Sequence, residues 1–387
     1  MDNRMPPSVS GPRQWLLPDQ LFDGTSLRAD TAVLVVDGRI KAIVPAQERP
    51  DDAECQKLSG IISPGFVDIQ VNGGGGVQFN NDPTVAGIAT IARAHRDGGT
   101  LHWFPTCLTD APAVLAKAAD AVIACDGAHG VAGLHVEGPH ISVVRRGTHA
   151  PAHIRPFDAT TLAQVARVRD AGIPVLITLA PEAATAKDVA ALVALGAVVS
   201  IGHSDAAAAD VAPLLDAGAS MFTHLFNAMS PMVNRAPGVT GAAINSSAFC
   251  SIIVDGHHVA DEMVALACRA RPVPGRMIAI TDAMATVGGP DRFDLYGTEI
   301  SLKGGKLINA EGSLAGAHIT MLQSVARLEQ VIGLSRCAAL RMATAAPAEA
   351  MNLPDEQGRL VVGGPARFLL LSNEMDHARI IETCTKA

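Results

Sequence analysis

The 387-residue sequence has few aromatic residues and no long uninterrupted apolar run. Aromatic residues make up 3% of the chain although 48% of it is hydrophobic, so alanine and small aliphatic residues supply most of the apolar content. That content excludes a disordered chain and suits helices packed closely on a sheet. The longest apolar stretch, residues 190–201, is interrupted by glycine and is too short to span a membrane. The sequence therefore predicts a globular protein without a membrane partner.

The chain also lacks a Cys-x-x-Cys pair and an excess of positive charge. Its seven cysteines, an odd number, are widely spaced and are typical of small core residues in a reducing compartment. The segment Met1–Ser10 has no apolar core of a signal peptide. The net charge of −8 argues against nucleic acid or an anionic membrane as the main partner. We therefore predict a soluble cytoplasmic protein.

Strand-like and helical patterns alternate after Pro64, which predicts an α/β fold. The predicted strands are 65–72, 100–106, 131–137, 174–180, 197–203, 220–226, 250–255 and 277–282. The predicted helices between them are 83–97, 111–125, 158–171, 186–195, 206–217 and 260–270. Eight strands that alternate with helices favour a (β/α)8 TIM-type barrel over an open sheet. We assign residues 64–354 to this barrel.

The sequence patterns at the two ends of the chain predict strands without intervening helices. Residues 31–44 alternate around Asp37-Gly38, a strong signal for a two-residue hairpin turn. We expect residues 1–63 and 355–387 to form one small β-sandwich domain, because chain termini often lie close together. A Gly-rich segment near 288–316 interrupts the barrel pattern and is predicted to be a β-hairpin insertion. Two helices, 319–332 and 335–350, should follow it.

Four polar residues stand at the ends of apolar strands: Glu137, His203, His224 and Asp282. The carboxyl ends of barrel strands meet at one face, where active sites lie. Two imidazoles and a carboxylate are a known ligand set for catalytic zinc, and an adjacent aspartate could act as a base. Each residue alone is more often a hydrogen-bonded core residue. Four placed alike indicate a metal site with Glu137, His203 and His224 as ligands and Asp282 as the catalytic acid/base.

Gln70 and Asn72 stand at the end of the first strand, where a two-metal hydrolase would carry His-x-His. Amides are poor zinc ligands, so the sequence predicts one tightly held metal. If the two amides are not metal ligands, we expect them to be polar residues at the barrel mouth that bond to water.

Loop residues beyond the strand ends are the candidates for substrate binding. His149 could donate a hydrogen bond to a substrate carbonyl, or could be a solvated loop residue. Asn227-Ala228, Arg235 and His258 could hold a phosphate or a carboxylate. A surface salt bridge for Arg235 and an ordinary loop for His257-His258 remain open alternatives.

These residues stand in motifs that resemble the N-acetylglucosamine-6-phosphate deacetylases of the amidohydrolase superfamily. The similar stretches run in order from Pro64 to the tail: 64–73, 135–139, 146–149, 202–204, 223–229, 255–259, 281–283, 313–316 and 342–348. The resemblance implies a homodimer of metal-dependent barrels, each with a small β-sandwich. It implies that Glu137, His203 and His224 hold the metal and that Asp282 is the acid/base.

The resemblance further implies that His149 approaches the acetamide carbonyl. Asn227, Ala228, Arg235 and His258 fall where the family binds the sugar phosphate, and the resemblance allows one of them to come from the neighbouring subunit. The expected reaction releases acetate and glucosamine 6-phosphate. Zn²⁺ is the expected metal, with Fe²⁺, Co²⁺ and Mn²⁺ as alternatives. An epimeric N-acetylated sugar phosphate, another amide, or a scaffold that has lost its metal are the competing hypotheses.

Overall fold

The computed structural model describes residues 13–51, 53–309 and 312–382. Its strands are β1 (Arg13–Phe22), β2 (Leu27–Ala29), β3 (Thr31–Val36), β4 (Arg39–Pro45), β5 (Glu54–Ser63), β6 (Phe66–Val71), β7 (Gly73–Gly74), β8 (Val77–Gln78), β9 (Thr100–Leu108), β10 (Leu134–Glu137), β11 (Val175–Leu179), β12 (Val198–Ile201), β13 (Met221–Phe222), β14 (Phe249–Ile253), β15 (Met277–Ile280), β16 (Arg292–Leu295), β17 (Thr298–Lys303), β18 (Lys306–Ile308), β19 (Arg367–Leu371) and β20 (Ala378–Glu382). Its α-helices are α1 (Val85–Arg96), α2 (Pro112–Cys125), α3 (Ala159–Asp170), α4 (Ala186–Ala194), α5 (Ala208–Asp216), α6 (Gly238–Asn245), α7 (Asp261–Ala270), α8 (Met321–Gln330), α9 (Arg336–Met342) and α10 (Ala345–Ala350).

Eight parallel strands form the barrel, in the order β6-β9-β10-β11-β12-β13-β14-β15. The last strand returns to the first, because Val71 and Ala283 form a parallel bridge and the Asp282 N–H donates to the Gln70 carbonyl at 3.0 Å. The strands are buried on both faces, as parallel strands covered by helices should be. The predicted fold class is confirmed.

Strands from both chain ends form one seven-stranded sheet, in the order β20-β19-β5-β1-β3-β4 with β2 beside β1. The β3–β4 turn has positive φ at Asp37 (47°) and Gly38 (71°), which matches the twist of a tight hairpin. Both faces of β3 are covered, since Val33 and Ala32 belong to different buried clusters.

The path of these strands supports a division of the chain at residues 63/64 and 354/355, which we propose as the domain boundary. Residues 1–12 and 383–387 of the predicted terminal domain, including the Met1–Ser10 segment, lie outside the described residues.

The predicted helix 335–350 is two helices, α9 and α10, separated at Ala343-Thr344. Pro347 explains the break, since its ring would clash with the carbonyl of residue 343 in a continuous helix. That carbonyl instead accepts the Val67 N–H of barrel strand β6 at 2.8 Å. The short helix α6, with two glycines in eight residues, was not predicted.

The insertion contains three antiparallel strands, β16–β18, rather than one hairpin. The predicted strand pair is β17–β18, and β16 adds a third strand. Leu295, Ile300 and Leu307 of this small sheet are buried in one cluster with Leu108 and Met284 at the barrel mouth. Residues 310–311 of the segment lie outside the described residues. None of the described helices is long and apolar enough to cross a membrane.

Candidate metal and active site

The four strand-end residues meet at the carboxyl end of the barrel. Glu137 is the last residue of β10, whereas His203, His224 and Asp282 each stand two residues beyond β12, β13 and β15. These three have positive φ values of 50°, 32° and 51°. The left-handed conformation is uncommon for residues other than glycine and is often retained at functional sites. Three of the four strands are thus followed by a sharp turn at the functional residue.

The two histidines and Glu137 converge on one point. Glu137 Oε1 lies 3.2 Å from His203 Nε2 and 3.0 Å from His224 Nε2, and the two Nε2 atoms are 3.0 Å apart. His203 Nδ1 is 2.8 Å from the Arg145 carbonyl, which can only accept, so Nδ1 carries the proton and Nε2 keeps its lone pair. Such a carbonyl partner is typical of a metal-ligating histidine. This donor set fits a divalent metal ion.

His149 offers a second possible ligand set, because ligand atoms of Glu137, His149 and His203 lie within 4.8 Å of one another. The His149 tautomer argues against that set. The Thr109 backbone N–H can only donate, and it points at His149 Nδ1 at 3.3 Å. The ring proton therefore lies on Nε2, which has no lone pair left for a metal ion. This nitrogen lies 3.9 Å from Glu137 Oε2. His224 is the better third ligand.

Asp282 is held by the two amides of the first strand. Its Oδ1 accepts from Gln70 Nε2 at 3.0 Å and from Asn72 Nδ2 at 2.7 Å, and Gln70 Nε2 also donates to Glu137 Oε1 at 3.0 Å. The sequence analysis expected these amides to bond to water, whereas their N–H groups donate to carboxylates. The Asp282 Oδ2 atom accepts from neither amide.

Burial controls the protonation of the site. Desolvation, followed by the charge of Glu137, raises the pKa of Asp282 to about 6. Desolvation also acts to raise the pKa of Glu137, but the adjacent imidazoles of His203 and His224 outweigh it and hold that pKa well below its usual value. Burial lowers the pKa of His149 to about 3, so this imidazole is neutral. The site therefore combines an ionised ligand carboxylate, a neutral donor and a carboxyl that can exchange a proton near neutral pH.

A cavity of about 160 Å³ opens above these residues. Its lining includes the predicted residues Glu137, His149, His203, His224, Asn227, Ala228, His258 and Asp282, with the apolar residues Leu108, Ile253, Met284 and Leu314. Arg235 does not line it and lies in an exposed loop, residues 231–237. One chain thus brings together every predicted site residue except Arg235.

A model of the amidohydrolase family matches residues 61–385. The chain belongs to the amidohydrolase family. It is 39% identical to an N-acetylgalactosamine-6-phosphate deacetylase of Shewanella over 359 residues, which cover 90% of this chain and 89% of that one. It is 34% identical to the bovine N-acetylglucosamine-6-phosphate deacetylase, with 86% and 83% of the two chains covered. The crystal structure of N-acetylglucosamine-6-phosphate deacetylase from Pasteurella multocida has a TM-score of 0.89 at 30% identity and covers 97% of this chain and 100% of its own.

Beneath the amidohydrolase site lies a layer of buried polar side chains that the sequence did not predict. Each barrel strand or strand end contributes one member: Asp68, Thr106, His135, Thr178, Ser200, Thr223, Ser251 and Thr281. Several are bonded to one another, as in His135 Nε2 to Thr178 Oγ1 (2.8 Å) and Thr178 Oγ1 to Thr223 Oγ1 (2.7 Å). Asp68 and His135 each precede a site residue by two positions, and this spacing was the available signal.

Two further residues, Thr109 and Asp255, contact predicted site residues and were also missed, as was Tyr296, which contacts Thr109. Thr109 and Tyr296 connect His149 to the insertion, as described below. Asp255 Oδ2 lies 2.6 Å from His258 Nδ1 and fixes that ring at the cavity wall. Desolvation opposes ionisation of Asp255, but the His258 hydrogen bond prevails and lowers its pKa to about 2.

Proposed function

We propose that the protein hydrolyses the acetamide of N-acetylglucosamine 6-phosphate to give glucosamine 6-phosphate and acetate. The observation that carries the proposal is the convergence of two imidazole nitrogens and a carboxylate oxygen beside a separately held aspartate. The named deacetylases among its relatives support this reaction over other amide hydrolyses.

Glu137, His203 and His224 would hold one divalent metal ion, with zinc as the main candidate and iron, cobalt and manganese as alternatives. When bound, such an ion supplies Lewis acidity, which polarises a carbonyl and lowers the pKa of a water molecule. The retained lone pair of His203 Nε2 supports this role. The alternative hypothesis, that the protein is a scaffold that has lost its metal, is disfavoured because a scaffold has no need of this donor set.

Asp282 would act as the acid/base. Gln70 and Asn72 hold Oδ1, so Oδ2 can accept a proton from the attacking water and deliver it to the leaving amine. A carboxyl whose pKa is raised to about 6 suits both steps. The Nε2–H of His149 would donate to the acetamide oxygen as negative charge develops there.

Asn227, Ala228 and His258 would orient the sugar phosphate at the cavity wall. Arg235 is exposed and lies outside the cavity of its own chain. We propose that the protein is a homodimer in which Arg235 of one subunit serves the neighbouring subunit's cavity. We also propose a cytoplasmic location, which the six free cysteines of the described residues support.

The galactosamine epimer is the second candidate substrate. The identity to the Shewanella N-acetylgalactosamine-6-phosphate deacetylase is 39%, against 34% for the bovine glucosamine enzyme. The two sugars differ at one hydroxyl, so the same residues would perform the same chemistry on either.

The test is acetate release by purified protein from both N-acetylated sugar phosphates and from unphosphorylated N-acetylglucosamine, with and without a chelator. We expect chelator-sensitive release that requires the phosphate, with a higher kcat/KM for the glucosamine substrate. A higher kcat/KM for the galactosamine substrate would make that sugar phosphate the main candidate substrate and the glucosamine epimer the second. No release from any of the three by metal-loaded protein would refute the proposed reaction.

A further inference from the structure

Thr109, directly after strand β9, uses all three of its polar atoms at the edge of the active site. Its backbone N–H donates to His149 Nδ1 at 3.3 Å, and its Oγ1 lies 2.7 Å from the same atom. Its carbonyl accepts from the Tyr296 hydroxyl at 2.6 Å. Its Oγ1 is also within 3.3 Å of the carbonyl of Glu137. Thr109 is fully buried, so none of these contacts exchanges freely with solvent.

These contacts determine which nitrogen of His149 carries the proton. A tautomer with the proton on Nδ1 would leave the buried Thr109 N–H without its acceptor, at a cost that strongly disfavours it. With the proton on Nε2, Nδ1 accepts from the Thr109 N–H, and the Thr109 hydroxyl can direct its one proton to Nδ1 at 2.7 Å instead of to the Glu137 carbonyl at 3.3 Å. The Nε2–H then faces the cavity, where a substrate carbonyl would be.

Tyr296 connects Thr109 and His149 to the inserted sheet. It lies in the turn between β16 and β17, with φ of 55°, and it is the only tyrosine of the sequence. The neighbouring Leu295 is buried with Leu108, the residue before Thr109. The insertion therefore holds the end of β9 by an apolar contact and a hydrogen bond at successive residues.

We propose that Thr109 is a positioning residue that fixes the tautomer and ring orientation of His149, and that Tyr296 of the insertion anchors Thr109 for this purpose. The inference rests on the proposed function of His149 as a hydrogen-bond donor. It gives the insertion a role in the reaction although, among the described residues of the segment, only Leu314 and Gly316 line the cavity.

The first measurement is the tautomer of His149 in the zinc-loaded full-length protein without substrate. Labelling histidine with ¹⁵N and recording long-range ¹H–¹⁵N correlations distinguishes protonated from unprotonated ring nitrogens, and loss of one signal set in His149→Gln provides the assignment. We expect a protonated Nε2 and an unprotonated Nδ1. A proton on Nδ1 would overturn the proposal whether or not the protein is a deacetylase.

The second measurement compares Thr109→Val with Thr109→Ser. The valine variant keeps the backbone N–H and side-chain shape but lacks the hydroxyl, so we expect shifted His149 signals and about a tenfold lower kcat, with zinc content and KM little changed. Serine should restore both readouts, and Tyr296→Phe should lower kcat by a smaller factor.

Thr106→Val is the matched control, because Thr106 is a buried threonine of strand β9, three residues before Thr109, and its Oγ1 contacts His135 instead. It should leave the His149 signals in place. Wild-type signals and wild-type kcat in Thr109→Val would refute the positioning role. Should the valine variant fail to fold, the wild-type tautomer and the serine and Tyr296→Phe variants still decide the matter. Absence of deacetylation in the wild type would instead refute the proposed function and leave the tautomer measurement valid.

Discussion

Replacing Asp282 with asparagine should remove the acid/base while the site keeps its shape. The side chain is only 9% exposed, and its Oδ1 is fixed by Gln70 Nε2 at 3.0 Å and Asn72 Nδ2 at 2.7 Å. An asparagine carbonyl oxygen can accept both bonds, and its amide group then takes the place of Oδ2. The variant should therefore fold and retain metal on Glu137, His203 and His224.

The expected loss follows from the role of Oδ2. General acid–base catalysis contributes roughly 10²–10⁴-fold to the rate. Its loss should lower kcat by that factor, which corresponds to a rise in activation free energy of about 3–5 kcal/mol. Loss of one supporting hydrogen bond costs about 1 kcal/mol, so Asn72→Ala should lower kcat only about fivefold to tenfold. The difference between the two variants separates proton transfer from orientation.

The assay is acetate release at saturating substrate from pH 5 to 9, with metal content measured on the same samples. In the wild type, kcat should rise as the pH increases through about 6 or somewhat below, because the carboxylate is the active form and a bound cation favours it. Asp282→Asn should lack this limb. If the variant keeps full metal content and a kcat within threefold of the wild type, Asp282 is not the base.

Two further changes test the surroundings of the site. Burial raises the pKa of Asp68 to about 7, so this carboxyl contributes stability that is fully present below about pH 4 and is lost as the pH rises through about 7. In Asp68→Asn, the decline in unfolding free energy over this pH range should be smaller by at most about 4 kcal/mol. Urea denaturation at several pH values with saturating metal measures it. An unchanged slope would contradict the raised pKa of Asp68. Arg235→Ala should raise KM for the phosphorylated substrate with little change in kcat, and an equal rise in KM for the unphosphorylated sugar would argue against a phosphate role.

The barrel and its strand-end residues could be predicted because each depends on local pattern. A histidine that ends an apolar strand, as His203 and His224 do, is recognisable without knowledge of its neighbours. Parallel strands of a barrel then place such residues at one face by topology alone. The four strand-end positions needed no side-chain detail.

Hydrogen-bond partners could not be predicted in the same way. Gln70 and Asn72 were correctly placed at the barrel mouth, but whether an amide bonds to water or to Asp282 depends on distances of a few tenths of an ångström. Thr109 meets His149 across 40 residues of chain, and no spacing rule connects a strand end to a loop histidine. The break at Thr344 was foreseeable from Pro347, whereas the exposed position of Arg235 depends on the course of its loop.

The turns at His203, His224 and Asp282 carry a cost to the folded chain. A non-glycine residue with positive φ is strained by roughly 1–3 kcal/mol, and glycine would adopt the same backbone without that strain. Glycine at these positions would relieve the backbone strain but would remove the side chains that the reaction needs. Directed evolution of this scaffold should therefore select for turnover in every round, because thermal tolerance and turnover conflict at these positions.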